Sequence, residues 1–135
     1  MEEFNGWLGQ PEGRNLEFKT AEHGFSANKD LPDYCAALSN EGGGKLILGV
    51  DPAHHVVGTK AFQESYNKLS VNLLSKLKIR IDVEEFDHPN GRVLIFHIPP
   101  HPPGQPIRST GSYRYPMRAG ESLTEMDSET LKRIL

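Results

Sequence analysis

The sequence has little of what marks a secreted, membrane-bound or cofactor-carrying protein. One cysteine, Cys35, occurs in 135 residues, which excludes an internal disulfide framework and any multi-cysteine zinc site. No apolar run approaches the ~20 residues of a membrane-spanning helix. The opening residues, MEEFNGWLG, are acidic and lack the apolar stretch of a secretory leader. There is no GxSxG elbow and no GxGxxG turn, so hydrolase-triad and dinucleotide readings have no support. Internal repeats and low-complexity segments are absent too. These absences set the expectation of a cytoplasmic protein without membrane contact.

What is present is an even mixture of apolar (36%) and charged (24%) residues, too balanced for a disordered tail. At this length one domain, residues 1–135, is expected to bury roughly two-thirds of its unfolded surface. The net charge of −3 speaks against non-specific coating of nucleic acid, but its distribution is uneven. Residues 88–120 hold Arg92, Arg108, Arg114 and Arg118 and no acid. An acid-free stretch in an acidic chain makes either a positive face or merely a basic loop.

Periodicity places the elements. Phe4, Trp7 and Leu8 fit an amphipathic turn or two over residues 2–9, and Leu16-Glu17-Phe18-Lys19 alternates as a short half-buried strand. Leu31, Tyr34, Cys35 and Leu38 predict a helix with Asp30 as N-cap, ended by the glycines after Asn40. Lys45-Leu46-Ile47-Leu48-Gly49-Val50 reads as a central strand covered on both faces. A turn over 51–55 and a return strand Val56-Val57-Gly58 follow. Phe62, Tyr66, Leu69, Leu73 and Leu77 predict a helix over 61–77. Residues 81–86 and 93–98 flank Pro89-Asn90-Gly91 as a hairpin. Five prolines between 99 and 106 make an extended connection. Ser112 to Met117 is expected as an edge strand and Asp127 or Ser128 as the cap of a last helix, which leads into further domains in a longer protein.

Three groups of residues carry chemistry. Glu41-Gly42-Gly43-Gly44-Lys45-Leu46 is not a Walker loop, because the order is helix, glycines, strand, and Leu46 stands where Ser or Thr is needed. The glycines are read as a helix cap, with phosphate contact at their N–H groups and Lys45 as the functional alternative. Glu12, Glu17 and Asp51 lie near strand ends, where carboxylates can converge on magnesium or manganese, although any one of them is ordinarily a solvated charge. Arg108 to Arg118 interleaves three arginines with Tyr113 and Tyr115; arginine meets phosphate and tyrosine offers a stacking surface. The alternative is an edge strand with solvated arginines. Adjacent His54 and His55 cannot form a helical zinc pair, and Cys35 reads as core.

In order and spacing these pieces resemble the Schlafen-type Alb-like domain found in RecG-like bacterial transcriptional regulators. The resemblance rests on Glu12 with Leu16-Glu17-Phe18-Lys19, on Ala37-Leu38-Ser39-Asn40-Glu41-Gly42-Gly43-Gly44, on Leu46 to Asp51, on Val57-Gly58 and on Tyr113 to Gly120, covering about residues 10–120. It implies an α+β fold, a mixed sheet with a hairpin packed by two main helices and short terminal helices, and nucleic-acid binding. Vertebrate Schlafens use the fold as an RNA endonuclease whose metal site takes two glutamates from the segment around Glu12 and Glu17. That site also takes an aspartate after the glycine-valine strand end. Members reading GVDD use the second aspartate, and that position here is Pro52, which weakens a hard-cation site.

The first expectation is therefore a DNA-binding module of a transcriptional regulator. Lys19, Lys45, Arg108, Arg114 and Arg118 would contact phosphate, and Tyr113 or Tyr115 would form a base platform. The second is a magnesium- or manganese-dependent endoribonuclease using Glu12, Glu17 and Asp51. The third is a protein-interaction domain that forms a homodimer through its sheet edge.

Overall fold

A computed structural model describes residues 2–10, 15–120 and 122–135. The two apolar strand runs read from the sequence form its centre. Strand β2 (Gly44–Leu48) lies between β1 (Leu16–Lys19), which it pairs in parallel, and β4 (Gly91–Ile98), which it pairs antiparallel. Strand β3 (Asp82–His88) closes the sheet as the hairpin partner of β4, giving the order β1-β2-β4-β3. A separate hairpin, β5 (Pro116–Ala119) and β6 (Ser122–Glu125), packs against α2 (Asp30–Asn40). The architecture is α+β with a mixed sheet.

Alternation along the strands divides the core. Leu46, Leu48, Leu94 and Phe96 point to the face covered by α2 and α3 (Leu69–Leu77), with Leu31, Leu38 and Leu73 opposite them. Ile47, Val93 and Ile95 point the other way, beneath Phe4 and Trp7 of α1 (Glu2–Leu8). Each run is apolar at consecutive positions because both faces are covered. No helix among the described residues is long and apolar enough to cross a membrane.

The glycines after α2 are a Schellman cap. The Gly43 N–H donates to Leu38 O (2.8 Å) and Gly42 N–H to Ser39 O (3.1 Å), with Gly42 at φ 108°. A Cβ on Gly43 would meet Ile98 O at 2.8 Å, so the backbone there is packed against β4. At its other end α2 begins at Asp30, and the cap position is Lys29, whose N–H is held by Ser26 Oγ (3.0 Å).

Three segments differ from the periodicity. The helix expected over 61–77 is broken: Phe62 is left-handed at φ 57°, a 3-10 turn spans Tyr66–Lys68, and only then does α3 start. The Ala61 and Thr59 carbonyls accept from the Arg92 guanidinium (2.7 and 3.1 Å). The return strand at 56–58 shrinks to one bridge, Val50 to Val56. The edge strand expected at Ser112 begins only at Pro116, because four preceding N–H groups are taken by carboxylates. Ser112 and Tyr113 donate to Asp33, and Arg114 and Tyr115 donate to Glu125. The last helix, α4 (Ser128–Ile134), is capped by Asp127 as expected, its carboxylate accepting from Thr130 N–H (2.7 Å).

Candidate functional site

Glu17 is read as half-exposed from its alternation, yet it is 3% exposed. Its side chain points to the α2 face, where Arg118 Nη1 donates to Oε1 (3.1 Å) and Lys19 Nζ stands 3.6 Å from Oε2. The same guanidinium donates through Nε to Glu41 Oε2 (3.1 Å) and through Nη1 to Leu16 O (2.8 Å). Burial opposes the charge of Arg118, but hydrogen bonds and attraction from Glu41 and then Glu17 outweigh it and raise its pKa. Lys19 follows the same logic: burial is overcome by Tyr34 and Glu17, and its ammonium lies 4.6 Å from the Tyr34 ring centroid. Arg118, expected on phosphate, is thus a strut joining β5 to β1 and to the end of α2, with a side chain 8% exposed.

The acidic trio does not assemble within the described residues. Glu12 lies outside them. Asp51 closes its own turn, accepting from His55 N–H (2.8 Å). That turn leans on the α1 face through His54, which contacts Leu8 O (3.0 Å) and the Phe18 ring (4.6 Å between centroids), whereas Glu17 points to the opposite face. Among the described residues no group of three His, Cys, Asp or Glu side chains is arranged to hold a metal ion. Glu17 is already matched by two cations and Asp51 lies toward the other face, so the two described carboxylates of the trio do not converge. Lys45 is separated as well: it shares the α1 face with Ile47, its ammonium 5.0 Å from the Trp7 ring centroid.

Arg108, Tyr113 and Arg114 do come together, around a carboxylate that periodicity passes over. Asp33 lies off the apolar stripe of α2 and reads as solvated, but it is 2% exposed. Ser109 Oγ donates to its Oδ1 (2.6 Å), and the N–H groups of Ser112 and Tyr113 point at the same carboxylate (2.9 and 3.4 Å). A Cβ on Gly111 would meet Asp33 Oδ1 at 2.5 Å, so glycine alone lets the loop close this tightly. On the next turns of α2, Asn40 brackets the start of the loop, accepting from Ile107 N–H (2.7 Å) and donating to Ile107 O (3.1 Å). The loop is therefore fixed from beneath by α2, and Arg108 and Arg114 project from it exposed.

Two adjoining cavities result. One, of about 330 Å³, lies between the end of α3 and the proline-rich segment, with Leu77, Ile79 and Pro106 in its wall and Lys78 and Arg108 beside it. The other, of about 530 Å³, is lined by Arg108, Thr110, Ser112, Tyr113 and Arg114. Arg108, Ser109 and Thr110 belong to both, so they form one trough. Among the described residues, none of Lys78, Arg108 and Arg114 is ion-paired. Glu125, also in the wall, is occupied by two backbone N–H groups. Lys78 was not singled out by sequence reasoning; it caps α3 in the left-handed conformation (φ 64°), which turns the chain toward β3.

The outer edges of the four-stranded sheet are partly plugged by side chains. On β1, Leu16 O accepts from Arg118. On β3, the Tyr66 hydroxyl donates to Val83 O and accepts from Glu85 N–H (3.1 Å each). Such contacts blunt the pairing of an edge with a second chain.

Comparison with known proteins gives a family and a fold. The family model described as Schlafen, AlbA_2 matches residues 12–127. The chain is similar to part of the DIP2311 protein of Corynebacterium diphtheriae, with a TM-score of 0.67 at 20% identity over 89% of this chain. It spans 26% of that protein. It is also similar to the N-terminal domain of a RecG-related protein of Nitrosomonas europaea, with a TM-score of 0.58 at 18% identity, covering 94% of this chain and 88% of that one. No curated protein matches the sequence.

Proposed function

The chain belongs to the Schlafen, AlbA_2 family, and from that premise we propose that it is a nucleic-acid-binding module, with DNA as its ligand, acting in the cytoplasm as part of a transcriptional regulator. The observation that carries this reading is the trough: Lys78, Arg108 and Arg114 stand unpaired around one concave surface in an otherwise acidic chain. Cations without carboxylate partners are free to neutralise phosphates and release their counterions. The loop bearing two of them is held by Asp33 and Asn40, so little ordering remains to be done on binding. Arg118, Lys19 and Lys45 act elsewhere: the first two fix Glu17, and the third packs on Trp7.

The test is fluorescence anisotropy of labelled DNA and RNA over a salt series, in EDTA and in manganese, with denaturing gels in parallel. Three phosphate contacts give a slope of log affinity against log salt of about −2.7 on duplex DNA and about −2 on a single strand. Arg108→Ala and Arg114→Ala should each weaken binding and flatten that slope by about one unit. Retention of the wild-type slope in both variants would refute this placement. Manganese-dependent cleavage lost in Glu17→Gln would replace it with the endoribonuclease reading.

A further inference from the structure

The trough has two halves of different chemistry, and they favour one form of nucleic acid. The 530 Å³ half is polar and charged, with Arg108, Arg114, the hydroxyls of Thr110 and Ser112, and the Glu125 carboxylate held by the Arg114 and Tyr115 N–H groups. The 330 Å³ half is walled mainly by Leu77, Ile79, Ile107 and the rings of Pro102 and Pro106. That volume is at the lower end of small-molecule pockets, roughly 300–1,000 Å³. Phosphate has no use for an apolar recess, and a duplex keeps its base faces stacked out of reach. A single strand presents both parts at every nucleotide, a flat apolar body and a charge beside it.

Resting on the proposed function, we infer that the trough takes single-stranded nucleic acid, with one unstacked base in the recess between α3 and the proline-rich segment. The flanking phosphates then lie against Lys78 and Arg108 on one side and Arg114 on the other. Arg108, common to both cavities, stands where base and backbone meet. The recess is formed in advance. Proline fixes φ at two wall positions, Asn40 holds Ile107 by both its backbone groups, and Ser39 donates to Pro99 O (2.8 Å) and accepts His101 N–H through its own carbonyl (3.0 Å). Lys76, also in the wall, has its ammonium turned aside to Ala27 O and Asn28 Oδ1 (3.0 and 3.1 Å).

The experiment compares labelled ten-nucleotide strands of equal charge, namely oligothymidine, its abasic counterpart and oligouridine, with a ten-pair duplex that carries about twice that charge. Oligothymidine should bind about tenfold tighter than the abasic strand, the size expected from burying roughly 60 Å² of base against an apolar wall at about 25 cal/mol/Å². Gln105→Trp, at an exposed wall position, should fill the recess and narrow that difference. Oligouridine tells whether a ribose is accepted in the same seat. Equal affinity for thymidine and abasic strands, or preference for the duplex, overturns the base seat and leaves the proposed function standing. Binding of none of the four, or of an acidic peptide in their place, overturns both. The abasic comparison uses the unaltered protein, so the result does not hang on the folding of the variant.

Discussion

Replacing Arg118 by leucine tests whether the buried ion cluster is structural. The change keeps most of the bulk and removes all five donors. Glu41, 28% exposed, can turn to water; Glu17, 3% exposed, cannot. Stripping one partner from a buried pair costs roughly 3–5 kcal/mol. Lys19 remains 3.6 Å from the Glu17 carboxylate, which puts the loss at the lower end, ~3 kcal/mol. Unfolding entropy near 2.1 cal/mol/K per residue gives about 0.28 kcal/mol/K for a chain of this length, so Tm should fall by ~11 °C. The double variant Glu17→Gln with Arg118→Leu removes the stranded charge and should recover about half of that, because a neutral amide costs less to bury than an unpaired carboxylate. Circular dichroism melts at neutral pH measure both. A drop below ~3 °C in the single variant, or a double variant no better than the single, would refute a compensated buried charge.

Asp33→Asn should cost ~2 kcal/mol in urea melts, since hydrogen bonds to a charged acceptor are worth roughly 1.5–3 kcal/mol. It should also weaken nucleic-acid binding although every cation of the trough is intact; unchanged affinity would separate loop anchoring from binding. Tyr66→Phe frees Val83 O and Glu85 N–H on the outer edge of β3, so sedimentation should show increased self-association, and an unaltered profile would mean that the acidic side chains of β3 suffice as guard. Asp127 is held below its ordinary 3.8, first by the Thr130 backbone N–H. A depressed folded pKa stabilises above the ordinary value, and the contribution is lost as pH falls through the folded one. Protection of the α4 amides, taken relative to their intrinsic exchange rates, should therefore fall below about pH 3.8 in the native chain, and less so in Asp127→Asn.

The apolar strands, the cap after Asn40 and the hairpin were legible because each is decided within a few residues. Leu46-Ile47-Leu48 has no polar position to turn outward, and three glycines can only end a helix. The break before α3 was not legible, because Phe62 keeps the right spacing while the carbonyls around it are claimed by Arg92, some thirty residues later in the chain. Asp33 was invisible for the same reason. Off the apolar stripe a carboxylate is ordinarily solvated, and its burial depends on Ser109, 76 residues away. Alternation gave Glu17 an exposed position for want of knowing that Arg118 returns over it.

The arginines of the acid-free stretch show what sequence charge leaves undecided. Four cations without a local acid read as either a positive face or a basic loop; Arg92 is drawn to Glu85 (2.6 Å) and two carbonyls, and Arg118 to Glu17 and Glu41. What separates Arg108 and Arg114 from these is the fate of the nearest buried carboxylate. Asp33 is satisfied by a hydroxyl and two backbone N–H groups, all neutral donors, and Glu125 by two more. Both acids are spent on the backbone of the loop, so they fix its shape without pairing directly with its arginine side chains, although each keeps its own negative charge. A loop tied down by cationic partners would have been equally rigid and electrostatically silent. Anchored through neutral donors, this one leaves the Arg108 and Arg114 side chains without a direct carboxylate contact among the described residues, and the identity of its anchors, more than the count of its arginines, makes it the candidate interface.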